Sequence, residues 1–309
     1  MSHSPPDPVP DSPAETATRV FVDHRELLFS IVYTMLGSVV DTEDVLQEAW
    51  LAWDARCRAG GGEPIGNPRA YLVRVVVNRA LARRESISRR REEYVGPWLP
   101  EPLATPPSPN DVADGVVRGE SVSMALLVVL ETLSPLERAV FVLHEVFGYS
   151  HPEVAGVLGR SASAVRQVAH RAREHVHARR PRYEADPRVR RQVTERFVAA
   201  VVGGDIEALI RVLAPDVALW ADGGGKARAA GTRSIQGRDK IARLLIGDAV
   251  RRPIPDLSVR YEHINGEPSA LLLSGDTPYA VVVLDLTADG TQVCGIYTVT
   301  NPDKLSHLG

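Results

Sequence analysis

The chain has 309 residues, of which 44% are hydrophobic and 24% charged, with a net charge of −3. That balance is ordinary for a globular protein and wrong for a disordered one, and the length allows about two or three domains. The longest mainly apolar stretch, Leu27 to Leu36, is about half the ~20 residues a membrane span requires. No basic start leads into an apolar run, so a secretory signal is not expected. Cys57 and Cys294 stand far apart with no ligand-type spacing, so neither a disulfide framework nor a metal site is expected. Membrane, secreted and disulfide-scaffold classes are set aside, and the expected location is the cytoplasm.

In chain order, residues 1–18 are rich in Pro, Ser and Asp and read as a mobile tail. A helical domain follows over 19–92. Residues 93–119 carry Pro97, Pro100, Pro102, Pro106, Pro107 and Pro109, too many for a helix or inner strand, and read as a linker. A second helical domain spans 120–183. From 184 to 309 the pattern becomes α+β, with two short helices and then strands. Tyr279–Thr287 and Thr291–Thr300 flank Asp289-Gly290, a hairpin signal.

Charge is distributed unevenly along this frame. Residues 69–91 hold eight arginines and one acid, residues 160–182 seven arginines and one acid, and residues 41–54 five acids and no base. Two basic segments and one acidic helix suggest two nucleic-acid contacts and a basic protein partner.

Asp41 is a suitable N-cap for a helix beginning at Thr42. At 100° per residue Val45, Leu46, Ala49 and Trp53 share its core face. Asp44, Gln47, Leu51 and Asp54 lie opposite, with Glu43 and Glu48 beside them. An apolar residue ringed by acids has the composition of a docking site for a basic helix.

Asn67-Pro68 opens a helix with Leu72, Val73, Val76, Val77 and Ala80 on one stripe. Tyr71, Arg74, Asn78 and Arg79 fall opposite or beside it and offer an aromatic, cations and an amide to a nucleic-acid base. Arg83 and Arg84 follow in a run that suits phosphates.

Ser134-Pro135-Leu136-Glu137 and Ser150-His151-Pro152-Glu153 are capping boxes with Pro early in the helix. A short helix from Pro152 ends at Gly159, and a longer one begins near Ser161 or Ser163, which is the helix-turn-helix pattern. Val165, Val168, Ala169, Ala172 and Val176 form the core face of the longer helix. Ser163, Arg166, Gln167 and His170 form the opposite face, flanked by Arg171 and Arg173. Arg and Gln can read guanine and adenine edges in the major groove, while flanking arginines suit the backbone.

Together these segments resemble a bacterial RNA polymerase sigma factor of the extracytoplasmic-function (ECF) group. Asp41–Leu51 is similar to the family's region 2.2, which implies that Asp44, Gln47, Glu48, Leu51 and Asp54 dock on core polymerase through its β′ coiled coil. Asn67–Leu72 through Asn78-Arg79 to Arg83-Arg84 is similar to regions 2.3 and 2.4, which open and read the −10 element. Leu133–Arg138 through Arg171–Glu174 is similar to region 4, the reader of −35. Ser163-Ala164-Val165 and Gln167-Val168 depart from the usual Gly-Thr-Val and Ser-Arg, which leaves the −35 sequence open. Tyr71 stands where Trp is usual.

Trp98-Leu99-Pro100-Glu101-Pro102-Leu103 in the linker, Asp222-Gly223-Gly224-Gly225-Lys226 and Asn301-Pro302-Asp303-Lys304-Leu305 are similar to three motifs of ECF sigma factors fused to a SnoaL-like domain. The implied fold is multidomain: two all-α sigma domains, the second a helix-turn-helix, and an α+β cone of the SnoaL-like, NTF2-like type. The implied partners are the β′ and β subunits of core polymerase and promoter DNA, with a small-molecule ligand in the cone as a further candidate and no cofactor. The resemblance also implies that the cone tunes activity through contacts with the sigma domains or linker. Catalysis by the cone would need an acid–base pair, for which Asp222, His263 and Asp285 are the candidates; their spacing shows no such pair. A ligand-sensing DNA-binding regulator and a fused cyclase-like enzyme are the competing readings.

Overall fold

A computed structural model of the chain describes residues 13–59, 65–92, 94–105, 122–177, 186–226 and 233–308. Three long helices open it: α1 (Pro13–Leu36), α2 (Val39–Arg58) and α3 (Pro68–Glu92). Periodicity explains their packing. The expected stripes of α2 (Val45, Leu46, Ala49, Trp53) and α3 (Leu72, Val73, Val76, Val77, Ala80) are buried, and α1 meets them with Leu28, Ile31, Val32 and Met35.

Two boundaries differ from the sequence expectation. Helix α1 begins at Pro13, so the proposed tail is cut short at its end; Ala17 is buried, and its carbonyl accepts a hydrogen bond from Trp53 Nε1 at 2.9 Å. The rest of that tail, 1–12, lies outside the described residues. The cap of α2 is Ser38, not Asp41: Ser38 Oγ accepts from Asp41 N at 3.2 Å. Gly37, in the left-handed region at φ +69°, ends α1 one residue earlier and so places the cap at Ser38. Asp41 is turned inward to Arg83 and Arg90 (2.9 and 2.8 Å).

The second helical group comprises α4 (Met124–Leu130), α5 (Pro135–Phe141) continued by a π-helical turn over Val142–Val146, α6 (His151–Leu158) and α7 (Ala162–His177). Both capping boxes form, and Gly159 closes α6 in the left-handed conformation at φ +62°. These helices and α1–α3 share one continuous apolar core. Residues 178–183, which the sequence assigned to this domain, lie outside the described ones.

The remainder is α8 (Pro187–Val202), α9 (Ile206–Val212), β1 (Leu213–Asp222), β2 (Ile235–Gln236), α10 (Arg238–Arg251), β3 (Leu257–Ile264), β4 (Glu267–Ser274), β5 (Thr277–Leu286), β6 (Val293–Val299) and α11 (Pro302–Leu305). Helix α10, between β2 and β3, was not expected. The strand order is β2-β1-β6-β5-β4-β3, with β1 and β6 parallel and the other neighbours antiparallel.

The sheet is covered on both faces. Ala270, Val282, Leu284 and Ile296 pack with α8, α9 and α10, whereas Leu271, Val281, Val283 and Tyr297 pack with Leu99, Met124 and Leu305. Double burial is why β5 carries the unbroken run Ala280–Leu284 in place of alternation. Leu99 belongs to the expected linker, which is described over 94–105 and wedged between the helical domains and the sheet; its continuation, 106–119, lies outside the described residues.

Candidate functional site

Four surfaces carry the candidate residues. On α2, Leu51 stands 60% exposed among the acids. Gln47 is exposed, while the carboxylates are partly engaged: Asp54 with Arg58 (2.9 Å), Glu48 with Arg79 (2.6 Å) and Asp44 with Arg83. Asp41 is held firmly. Burial opposes its ionisation, but hydrogen bonds from Arg83, Arg90 and Ser38 outweigh that and hold its carboxyl below the usual carboxylate range.

On α3 the expected −10 residues divide. Tyr71, Arg74, Asn78 and Arg79 line one shallow surface. Arg84 does not belong with them: it is buried, donating to Met35 O at 3.2 Å and pairing with Glu131 at 3.0 Å, and burial lowers its pKa to about 10. Arg83 is likewise drawn to Asp41 and Asp44 rather than left for phosphate. Helical position explains the split, because α3 is packed on two sides at its C-terminal half and the basic run there must place some guanidinium groups inward. The Asn78 amide donates to Arg74 O (2.7 Å) and to Val157 O (3.3 Å) on α6, so the second helical domain touches one edge of this surface, while Arg74 and Asn78 themselves stay exposed. The Arg69 guanidinium sits 5.8 Å over the Tyr149 ring at the same junction.

On α7 the buried set is Val165, Val168, Ala169, Ala172 and Val176, leaving Ser163, Arg166, Gln167, His170 and Arg171 exposed along one face. Arg173 is half-buried and bonded to Glu145 at 2.5 Å, so it braces the helix-turn-helix in this state instead of standing free for phosphate.

The fourth site is the junction of the linker with the sheet. Asp222, 0% exposed at the end of β1, accepts from Leu99 N (2.8 Å), Lys304 Nζ (2.8 Å), Gly224 N (3.2 Å) and the Tyr94 hydroxyl. Lys304, 3% exposed, also donates to Leu99 O at 2.5 Å and lies 3.6 Å over the Trp98 ring. Such a pair is tolerated in the interior because each remaining polar atom is satisfied. Asn301 caps α11 and donates to Tyr94 Oη at 2.9 Å, and Lys226 pairs with Asp303 at 2.5 Å. Gly224 and Gly225 are left-handed (φ +62° and +70°); a side chain on Gly224 would enter the Asn301 amide, and one on Gly225 would press on Val95. Gly223 is buried beside them, Pro302 opens α11, Leu305 enters the core, and Pro100 is buried against Gly37.

The three catalytic candidates do not form a site. Asp222 is consumed in this junction, Asp285 accepts from Leu286 N at 3.1 Å on β5, and His263 is at the sheet edge. His263 lines a cleft of about 520 Å³ between α8, β3, β4 and the linker, with Thr105, Arg191, Thr194 and Tyr261.

Sequence reasoning placed Glu101 in the linker motif but missed its role: its carboxylate accepts from Val39 N (2.6 Å) and Ser38 Oγ (3.0 Å) at the start of α2. It also missed Asn265, left-handed at φ +53° between β3 and β4. Its amide donates to Tyr33 Oη at 2.7 Å, and Leu103 N donates to its Oδ1 at 3.2 Å. The Asn265-Gly266 turn was visible as a hairpin signal; its partners were not.

A three-helix domain with an exposed leucine among acids on one helix and a cationic face on the next, followed by a helix-turn-helix, is the architecture of a sigma-70-type promoter-recognition subunit. The Sigma-70 region 2 family model matches residues 20–90, and the Sigma-70, region 4 model matches 123–176. The chain is 39% identical over 291 residues to the ECF RNA polymerase sigma factor SigJ of Mycobacterium tuberculosis H37Rv, covering 91% of each. It is 31% identical over 287 residues to the probable ECF sigma factor SigI of the same strain, covering 92% of this chain and 93% of the relative. The crystal structure of M. tuberculosis SigJ superposes with a TM-score of 0.70 at 34% identity, covering 94% of this chain and 98% of that one. The chain belongs to the ECF RNA polymerase sigma factors. Its function is therefore to direct promoter recognition and transcription initiation by RNA polymerase core, and its third domain is an α+β unit that falls within the span matched by the SigJ structure. Among the described residues, no helix is long and apolar enough to cross a membrane.

Proposed function

We propose that the described arrangement is a held state of the sigma factor in which the −35 reader is presented and α6, docked on the edge of the −10 reader, engages Asn78 and withholds it from DNA. The supporting observation is the Asn78 amide bonded to Val157 O on α6, while Arg166, Gln167 and His170 on α7 face solvent. In this reading Leu51, with Gln47, Glu48, Asp44 and Asp54 around it, docks on the β′ coiled coil, and the second helical domain moves off α3 to meet β and −35 DNA. Tyr71, Arg74, Asn78 and Arg79 then read −10, with Ser163, Arg166, Gln167, His170 and Arg171 reading −35. The domains are assigned as 13–92, 120–183 and 184–309, and the protein works in the cytoplasm without catalysis of its own.

The SnoaL-like domain acts on this equilibrium as a clamp on the linker. Asp222, Lys304 and Asn301 grip Tyr94, Trp98 and Leu99, and Met124 of α4 packs on the same sheet face, so the path between the two sigma domains is fixed at both ends. A small-molecule ligand remains a candidate for the cleft beside His263 rather than for the packed side of the sheet.

The test compares free full-length chain with the reconstituted holoenzyme. The free chain is expected to bind a −35 duplex but to capture a single-stranded −10 oligonucleotide at least about tenfold more weakly than the holoenzyme does. Equal capture of the −10 strand by both would overturn the reading. Run-off transcription from a promoter with both elements tests the assignment of α3 and α7 through the variants Asn78→Ala and Arg166→Ala.

A further inference from the structure

Where the second helical domain meets α1 and α3, two buried guanidinium groups converge on one carboxylate that is itself mostly withdrawn from water. Arg138 of α5 is 0% exposed; its Nε and Nη2 donate to Thr34 O (3.0 and 2.8 Å) and its Nη1 pairs with Glu131 at 2.6 Å. The other oxygen of Glu131 takes Arg84 Nη2 of α3 at 3.0 Å, and Arg84 Nη1 reaches Met35 O. Two guanidinium groups thus share one carboxylate over the last carbonyls of α1, where the helix dipole is negative and favours cations. Gly37, left-handed at φ +69°, turns the chain out of α1 directly beside the Glu131 carboxylate.

Interiors rarely place such groups together without a consequence. A buried ion triad contributes less net stability than apolar side chains of the same shape, yet losing its central carboxylate leaves two uncompensated cations. An interface that must later separate benefits from this, since the three charges are readily hydrated once apart.

We propose that Arg84, Glu131 and Arg138 form an ionic latch that positions region 4 over region 2 and keeps the closed state releasable. Glu131 and Arg138 are positioning residues, acting on promoter recognition through the placement of α6 on α3. The inference rests on the reading that α6 withholds Asn78 from DNA, and the experiment separates the two.

Spin labels at Val22→Cys and Arg160→Cys, in full-length chain carrying Cys57→Ser and Cys294→Ser, report the distance between the domains by pulsed electron paramagnetic resonance. The Glu131→Gln variant is expected to raise the open fraction at least about tenfold and to raise affinity for the −10 oligonucleotide in proportion, with −35 duplex affinity unchanged. The triple variant Arg84→Met, Glu131→Leu, Arg138→Met is expected to stay closed and to capture −10 DNA more weakly than wild type. If Glu131→Gln keeps the wild-type distance, the latch is wrong. If it opens without a gain in −10 affinity, the latch stands and the reading that α6 withholds Asn78 falls. Should Glu131→Gln lose −35 binding through damage to region 4, Arg84→Gln, which alters only region 2, decides by distance alone: opening supports the latch and an unchanged distance overturns it.

Discussion

Replacing Asp222 with alanine perturbs the junction at its most constrained point. The substitution leaves Lys304, 3% exposed, without its carboxylate, and leaves Leu99 N without an acceptor. Breaking a buried pair by removing one partner costs about 3–5 kcal/mol, and an orphaned buried amide about 1–3 kcal/mol. The two overlap, because Lys304 can swing toward Leu99 O, which it already contacts at 2.5 Å. A net loss of about 4 kcal/mol is expected, which for a domain of this size lowers the melting temperature of the C-terminal α+β unit by about 10–15 °C. Calorimetry on the full chain reads that shift, and hydrogen exchange at Leu99 reads release of the linker. The double variant Asp222→Ala, Lys304→Met removes the stranded cation and should recover part of the loss, with a coupling of about 2 kcal/mol in the double-mutant cycle. Additive single effects, or a fall of under about 3 °C for Asp222→Ala, would refute the claim that this pair holds linker and sheet together.

Leu51→Ala should weaken binding to core polymerase by about 2 kcal/mol or more, seen as faster dissociation in surface-bound core assays, with melting temperature unchanged because Leu51 is exposed. Arg166→Ala should cost about 1–3 kcal/mol of −35 duplex affinity and relax base preference at one position, whereas Arg171→Ala should weaken all sequences alike and lower the salt slope by about one. Asp41→Asn should destabilise the chain by about 1–3 kcal/mol at neutral pH. The folded carboxyl lies below its unfolded value, so its contribution is complete above about pH 4 and is lost as pH falls further; denaturation of both chains across pH 3–7, each figure about these bounds, should show the difference shrinking on the acid side. Gly224→Ala should displace Asn301 from Tyr94 and loosen the same linker segment in hydrogen exchange, since φ is +62° and the new methyl would overlap the amide.

Much of the site was legible in short-range patterns. The face of α7 follows from Val165, Val168, Ala169, Ala172 and Val176 alone, and both capping boxes form as Ser134–Glu137 and Ser150–Glu153 specify. These features are decided within one or two helical turns, where the interacting atoms are neighbours in the chain. Leu51 was readable for the same reason, as an apolar residue at the angular position opposite a core stripe.

What a basic run does was not legible in that way. Arg74, Arg79, Arg83 and Arg84 read alike as cations on one helix, yet Arg84 is sealed against Glu131, forty-seven residues away, and Arg83 is tied to Asp41 and Asp44. Asp41 itself read as a cap because the glycine that moves the cap to Ser38 acts through its backbone angle. Nor does any pattern in the strands announce that both sheet faces are covered, or that Asn265 reaches Tyr33 across 232 positions of sequence. Local periodicity and capping therefore determined the core and solvent faces of α2, α3 and α7 and the capped starts of α5 and α6. Tertiary structure alone decided which charges stay available and which are buried, because the free energy of a charge depends on what excludes water from it, and those groups come from elements far apart in the chain.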